Sequence, residues 1–257
     1  MIVNNKPKII AHRGNCDGLT ENSETTFKRS IAYKVDGIET DVQLTKDSIP
    51  VIFHDKTSLK LTGTRKWISS YALDELMQFN IKNEKILTLE NFIKLFSEKT
   101  SLFIEIKSGN TERTSGRSKF LTQKVVEQIL NIKPELRKNI FVLSFDPDIL
   151  NQVSGITRKI KCVLNIDDYA KKEKWSVQSK DILNKKYICD NLTGLCINKN
   201  RLTASLVDFA HSHNLKMITY SCNTEKQLNK ILNFNLDAIM TDKAEWLTKR
   251  IKNETGN

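Results

Sequence analysis

The sequence predicts an α/β fold of eight parallel strands, with one additional piece after the second strand. Three observations carry this. Short apolar runs alternate with longer amphipathic segments almost to the end of the chain, which is the pattern of βα units and a parallel sheet. The length, 257 residues, suits one α/β barrel, since such barrels reach about 250 residues as a single unit. Reactive side chains also fall at the carboxyl ends of the first three strand candidates, where barrels of this kind build their sites. Together these predict a TIM barrel with a hairpin and a helical insertion after the second strand. No linker, repeat or low-complexity run divides the chain, so 1–257 reads as a single domain with the insertion at 43–97.

The strand candidates are 9–11, 37–42, 102–106, 140–144, 161–165, 195–198, 216–220 and 238–241. Helical spacing between them is clearest at 205–213, where Leu206, Val207, Phe209 and Ala210 form one stripe. It recurs at 224–234, with Leu228, Ile231 and Leu232.

A ninth strand candidate, Pro50-Val-Ile-Phe-His54, does not fit the alternation. Only six residues, 44–49, separate it from the strand that carries Glu39 and Asp41. Parallel neighbours need a crossover of about a dozen residues, so this pair must be antiparallel. Lys46-Asp47-Ser48 supplies the turn chemistry. The 42–54 segment therefore reads as a hairpin folding back over the barrel mouth, with His54 at the level of Glu39 and Asp41. Residues 55–97 form an excursion: a loop at Thr62-Gly63-Thr64, a short helix at 72–79, and a helix capped by Thr88 and running through Phe96. Residues 253–257 read as a frayed tail.

Hydrophobic content of 39% and charged content of 28% are ordinary for a globular chain that buries its own core. The formal charge of +11 would favour an anionic ligand. The densest lysine groups, Lys171/Lys172/Lys174 and Lys185/Lys186, lack the interleaved aromatics of a nucleic-acid platform, so no nucleic-acid partner is expected. Five cysteines (Cys16, Cys162, Cys189, Cys196, Cys222) form no C-x-x-C pair, which suits a reducing compartment. No stretch approaches the roughly 20 apolar residues of a membrane helix, and the start lacks a signal-like apolar core. A cytoplasmic protein without stable membrane insertion is expected; its oligomeric state is not written in the sequence.

Four places join a strand end to reactive chemistry: His12-Arg13-Gly14, Glu39-Thr40-Asp41, His54-Asp55 and Glu105-Ile106-Lys107. Alternation puts Glu39 with Asp41, and Glu105 with Lys107, on one face of their strands. Carboxylates among Ile38, Val42, Ile104 and Ile106 are costly unless paired or coordinating. Three hard oxygen ligands without cysteine suit a divalent metal, Mg²⁺ or Ca²⁺. Two histidines can act as base and acid near neutral pH, and Arg13 and Lys107 can hold a phosphate. His211 and His213 end an amphipathic helix, and Cys189 and Cys222 read as small packed residues, so none of these four enters the site.

The chain resembles the glycerophosphodiester phosphodiesterase family over about residues 8–248. The matching segments are Ala11-His-Arg-Gly14, Glu21-Asn-Ser23, Gly37-Ile-Glu-Thr-Asp-Val-Gln-Leu-Thr-Lys-Asp47 and Pro50-Val-Ile-Phe-His-Asp55. They continue with Thr88-Leu-Glu90, Ile104-Glu-Ile-Lys107, Leu143-Ser-Phe145 and Met240-Thr-Asp242. The resemblance implies a TIM barrel with an insertion after the second strand, and a divalent metal on Glu39, Asp41 and Glu105. It implies His12 and His54 as general base and acid, with Arg13 and Lys107 on the phosphate of a small-molecule phosphodiester. The implied reaction releases glycerol 3-phosphate and an alcohol through a cyclic phosphate. Thr20, Leu61 and Tyr220-Ser-Cys-Asn223 stand where the family usually has Pro, Arg and Trp-Thr-Val-Asn, departures expected at the rim and bearing on substrate identity. Three other readings stand beside this one: a phospholipase D-like enzyme acting on lysophospholipids or sphingomyelin, a glycosidase using two carboxylates, and an anion-binding barrel without catalysis.

Overall fold

The computed structural model describes residues 6–14, 18–166, 176–183 and 189–252. Cys16, the lysine groups at 171–174 and 185–186, and the tail at 253–257 lie outside the described residues.

Ten strands form one sheet: β1 (Lys8–Ala11), β2 (Gly37–Leu44), β3 (Pro50–Ile52), β4 (Leu87–Thr88), β5 (Ser101–Ile106), β6 (Ile140–Ser144), β7 (Lys161–Ile166), β8 (Leu192–Asn198), β9 (Lys216–Tyr220) and β10 (Ala238–Thr241). Eight of them run parallel in the order β1-β10-β9-β8-β7-β6-β5-β2, and β1 pairs with β2 to close the barrel. The expected TIM barrel is the observed fold. Each of the eight strands contains its sequence-predicted range, with one to three residues added at some ends.

The period-two alternation of these strands builds two cores. Ile9, Ile38, Val42, Ile104, Val142 and Leu164 point outward against the surrounding helices. Ile10, Phe103, Leu143, Val163, Cys196, Ile218, Ala238 and Met240 fill the barrel interior. Phe103 stacks on Phe141 at 4.6 Å between ring centres. It fits because its neighbour is Gly37, where an added Cβ would meet the Phe103 ring at 2.6 Å. The helices start on side-chain caps that the sequence supplies. Ser23 accepts from Thr26 N–H, Thr88 from Asn91 N–H, Thr203 from Leu206 N–H and Thr224 from Gln227 N–H.

The hairpin reading also holds. β3 lies antiparallel to β2 with Val42 opposite Ile52 and Leu44 opposite Pro50. It ends at Ile52, two residues before His54, although Phe53 N–H still donates to Asp41 O at 3.0 Å. β4 pairs with the far edge of β3, a two-residue strand that no sequence period announces. The 72–79 helix shrinks to Leu73–Leu76, and a short helix at Leu59–Thr62, ending on Gly63 in the left-handed region at φ 72°, precedes the loop read at 62–64. The excursion has its own apolar cluster of Val51, Phe53, Leu61, Ile68, Tyr71, Leu76 and Ile86. Leu61 is therefore a core residue of the excursion and not the rim position its alignment slot implied. Among the described residues no helix is long and apolar enough to cross a membrane.

Candidate active site

The mouth of the barrel is built from the last inward-facing layer of its strands. In β2 the inward parity that includes Gly37 ends in Glu39 and Asp41; in β5 the parity of Phe103 ends in Glu105 and continues to Lys107. The register sets Asp41 directly opposite Glu105. One oxygen from each of Glu39, Asp41 and Glu105 lies within 4.8 Å of the others, and all three residues are buried. Lys107 Nζ sits 2.7 Å from both Asp41 Oδ1 and Glu105 Oε1.

β1 ends in a tight turn that turns His12 and Arg13 towards these carboxylates. Arg13 adopts φ 50° and Gly14 φ 78°, left-handed conformations in succession. Arg13 is a non-glycine residue held in a costly region, and that strain sits at the centre of the site. Its backbone N–H donates to Glu39 Oε2 at 2.9 Å, and its Nη1 donates to Glu21 Oε2 at 3.0 Å. Gly14 is packed so closely that a Cβ would meet the Phe27 ring at 2.6 Å. His12 Nε2 lies 4.0 Å from Glu39 Oε2. The structure thus brings all seven sequence-predicted residues to one mouth: His12, Arg13, Glu39, Asp41, His54, Glu105 and Lys107.

Each histidine is held through Nδ1 by an aspartate. His12 Nδ1 is 2.5 Å from Asp242 Oδ1, and His54 Nδ1 is 2.7 Å from Asp55 Oδ1. Asp242 is itself fixed, because Asn223 Nδ2 donates to its Oδ2 at 2.5 Å and its own N–H donates to Asn223 Oδ1 at 2.8 Å. Asp242, Asn223 and Asp55 were given no role in the sequence reading, nor were two asparagines that brace the carboxylates. Asn22 Nδ2 donates to Asp41 Oδ2 at 3.0 Å, and Asn165 Nδ2 to Glu105 Oε2 at 3.1 Å. Strand parity was the signal available for two of these: Asp242 continues the inward parity of Met240 in β10, and Asn165 that of Val163 in β7.

The local field separates the titratable groups. Burial, reinforced by Asp41, pushes the Glu39 carboxyl up to about 8. Burial acts on Asp41 in the same sense, but Lys107, His54 and Arg13 outweigh it and hold Asp41 well below the usual carboxylate range. Burial disfavours the charged forms of Lys107 and Arg13 too; their carboxylate neighbours reverse this and raise both. His12 loses to burial and gains more from the Asp242 hydrogen bond and Glu39, so it lies above 6.5. His54 lies below 6.5, because burial and the positive charge of Lys107 outweigh the pull of Asp41. Asp242 is drawn down to about 2 by His12, against the effect of burial. One acidic and one basic imidazole at a shared mouth is the separation that acid-base chemistry requires.

The three buried carboxylates fit a hard divalent cation. Their oxygens converge, and among the described residues the group contains oxygen ligands only; Arg13 Nε, buried without a hydrogen-bond partner 3.4 Å from Asp41 Oδ2, is a donor left for an anion's oxygen. A second carboxylate-imidazole group, Glu21 with His54 and Asp55, is already neutralised by Lys60, which sits 3.2 Å from Glu21 and 2.9 Å from Asp55.

Comparison with known proteins agrees with this geometry. The chain is 28% identical over 245 residues to a glycerophosphodiester phosphodiesterase of Bacillus altitudinis, covering 91% of this chain and 94% of that one. It is 26% identical over 256 residues to one from Caldanaerobacter subterraneus subsp. tengcongensis, covering 96% and 98%. Among solved structures, a phosphodiesterase of Oleispira antarctica in complex with the product sn-glycerol-3-phosphate superposes with a TM-score of 0.79 at 24% identity, over 96% of this chain and 97% of that one. A glycerophosphodiester phosphodiesterase of Parabacteroides distasonis gives 0.78 at 22%, over 98% and 99%. At those identities the superpositions establish the fold. The sequence pattern of the glycerophosphoryl diester phosphodiesterase family matches residues 12–245, which hold every member of the mouth described above. By that match, the chain belongs to the glycerophosphoryl diester phosphodiesterase family.

Proposed function

We propose that this enzyme hydrolyses glycerophosphodiesters to glycerol 3-phosphate and an alcohol, as a single domain of about residues 8–248. The observation that carries the reading is the buried group Glu39, Asp41 and Glu105, beside two aspartate-held histidines of opposite charge preference. The three carboxylates would hold a divalent metal, Mg²⁺ or Ca²⁺, which when bound supplies positive charge for the phosphoryl oxygens. Arg13 and Lys107 add a guanidinium fork and an ammonium for the same oxygens.

The order the resemblance implies is reversed here: His54, held below 6.5 by burial and Lys107, is the base and His12, held above it, the acid. His54, neutral near pH 7, donates its Nδ1–H to Asp55 and keeps a lone pair on Nε2. That atom takes the proton of the glycerol hydroxyl that attacks phosphorus. His12, protonated, gives its Nε2 proton to the departing alcohol oxygen, while Asp242 holds Nδ1. The product of this half-reaction is a cyclic phosphate. Water then attacks phosphorus and loses its proton to His12, and His54 returns its proton to the ring oxygen that leaves. Both histidines end as they began.

The odd count of five cysteines supports a reducing, cytoplasmic setting. The test follows glycerol 3-phosphate release from glycerophosphocholine with Mg²⁺ or Ca²⁺, and again with EDTA. Activity is expected to need the cation and to be lost in His12→Ala and Glu39→Ala. Full turnover in either variant, or in EDTA, would overturn the assignment.

A further inference from the structure

Beside the mouth, the excursion projects a lobe at 56–67 with the sequence Lys-Thr-Ser-Leu-Lys-Leu-Thr-Gly-Thr-Arg-Lys-Trp. Its base is tied by Thr57 facing Trp67 in an antiparallel bridge, with Ser58 N–H donating to Lys66 O at 2.8 Å and Ile68 N–H to Lys56 O at 3.0 Å. Four cations stand in these twelve residues and no acid. Lys56, Lys60, Arg65 and Lys66 are all exposed.

Two large apolar side chains share the lobe with them: Leu59 is 53% exposed and Trp67 49%. Single exposed apolar residues are ordinary. Here, of the six large ones exposed among the described residues, the other four (Phe120, Ile156, Leu183 and Leu232) lie in or just after the barrel's outer helices. Among the described residues, only this lobe combines an exposed tryptophan and an exposed leucine with a run of cations and no acid. The lobe also reaches the site directly. Lys60, next to Leu59, bridges Asp55 and Glu21, and Asp55 holds His54. Lys56 and Ser69 line one cleft with Lys107.

We infer that the 56–67 lobe docks the mouth of the barrel on an anionic phospholipid surface. An indole and a leucine enter the interfacial region, and Lys56, Arg65 and Lys66 meet the headgroup charge while Lys60 stays on Glu21 and Asp55, a pairing that gives reversible binding without a membrane-spanning segment. A second copy of this chain is the poorer occupant, since a symmetric contact through the same patch would set Lys56, Arg65 and Lys66 against their own copies. The docking extends the reading above, and rests on it, in one respect: it brings within reach glycerophosphodiesters that keep an acyl chain, the lysophospholipid class, as well as water-soluble ones.

The test uses the full chain and phosphatidylcholine vesicles with and without phosphatidylglycerol. Sedimentation with the anionic vesicles only, weakening as salt rises, is expected. Vesicles with brominated acyl chains should quench tryptophan fluorescence, and the quenching should disappear in Trp67→Phe. Arg65→Glu should lower partitioning on the order of tenfold, and Leu59→Ser should lower it as well. Equal sedimentation with neutral vesicles, quenching retained without Trp67, or an oligomer that Trp67→Ser dissolves would each overturn the docking. Turnover of soluble glycerophosphocholine should be unchanged in these variants. An active protein that ignores vesicles removes the docking alone, and a vesicle-binding protein without turnover removes the hydrolase reading alone.

Discussion

Asp242 gives the most specific expectation at the scale of single residues. Its carboxylate accepts from His12 Nδ1, which leaves Nε2 for the substrate. Asparagine keeps the shape and can present an N–H in place of an acceptor, which favours the wrong tautomer. Asp242→Asn should therefore lower kcat by about 10²- to 10⁴-fold and change KM little, as steady-state kinetics would read. In the proposed mechanism the same histidines set the pH profile. His54 lies below 6.5 and must be neutral to act as base, so activity should fall on the acid side of 6.5. His12 lies above 6.5 and must be protonated to act as acid, so activity should fall again on the alkaline side. A bound divalent cation would add positive charge beside His12, and it should move the alkaline limb towards neutrality. A log kcat/KM profile measured at two metal concentrations checks both limbs.

The hairpin and the excursion it leads into matter most at the scale of elements, because the hairpin carries His54 while the barrel carries His12. The excursion's apolar cluster is separate from both barrel cores, and Leu61 in that cluster belongs to the same short helix as Lys60, the partner of Asp55. Ile68, fully buried there, is expected to cost about 2–5 kcal/mol when cut to alanine. The loss should be local: heat inactivation of Ile68→Ala should precede loss of the far-ultraviolet circular dichroism of the barrel, whereas in the wild type the two should coincide. The excursion was also the least legible region. Alternation and strand spacing reveal the eight barrel strands and force the 42–54 hairpin, since six residues cannot cross over between parallel neighbours. They carry no information about β4, which has two residues, or about Leu59–Thr62, a single turn held by Gly63 and tertiary packing. The site followed the same rule. Residues that repeat with the strand period (Glu39, Asp41, Glu105, Lys107) were readable; Asn223, which acts on His12 only through Asp242, was not.

At the scale of the molecule, the buried carboxylates should make stability depend on pH and, with the proposed metal, on the cation as well. Glu39 titrates at about 8 in the folded chain against an ordinary value of 4.5. Over that range the folded state binds the extra proton, so this group makes the protein less stable as pH rises from 4.5 to about 8. His12, also raised, loses its contribution as pH climbs past 6.5 through its folded value, which adds to the decline. His54, lowered, acts the other way, but its gain is complete once pH exceeds 6.5. The metal-free protein should therefore melt lower at pH 8 than at pH 6.5. A cation that binds only the folded state at a hundred times its Kd adds about 2.7 kcal/mol, or roughly 5–10 °C in Tm for a chain of this size. The increment should be larger at pH 8, where a proton competes less for Glu39 than at pH 6.5, and thermal melts with and without EDTA at the two pH values measure it.

Behind the mouth, Ile10, Phe103, Leu143, Val163, Cys196, Ile218, Ala238 and Met240 fill the barrel, and Phe103 lies flat on Phe141 in the space that Gly37 leaves open. Among the described residues, these side chains close the inner end of the barrel. Whatever enters leaves by the same opening, and the phosphate-bearing product departs past the charges that drew the substrate in. Traffic through one entrance makes the enzyme answer to its own output: glycerol 3-phosphate should behave as a competitive inhibitor, slowing the enzyme where the product accumulates.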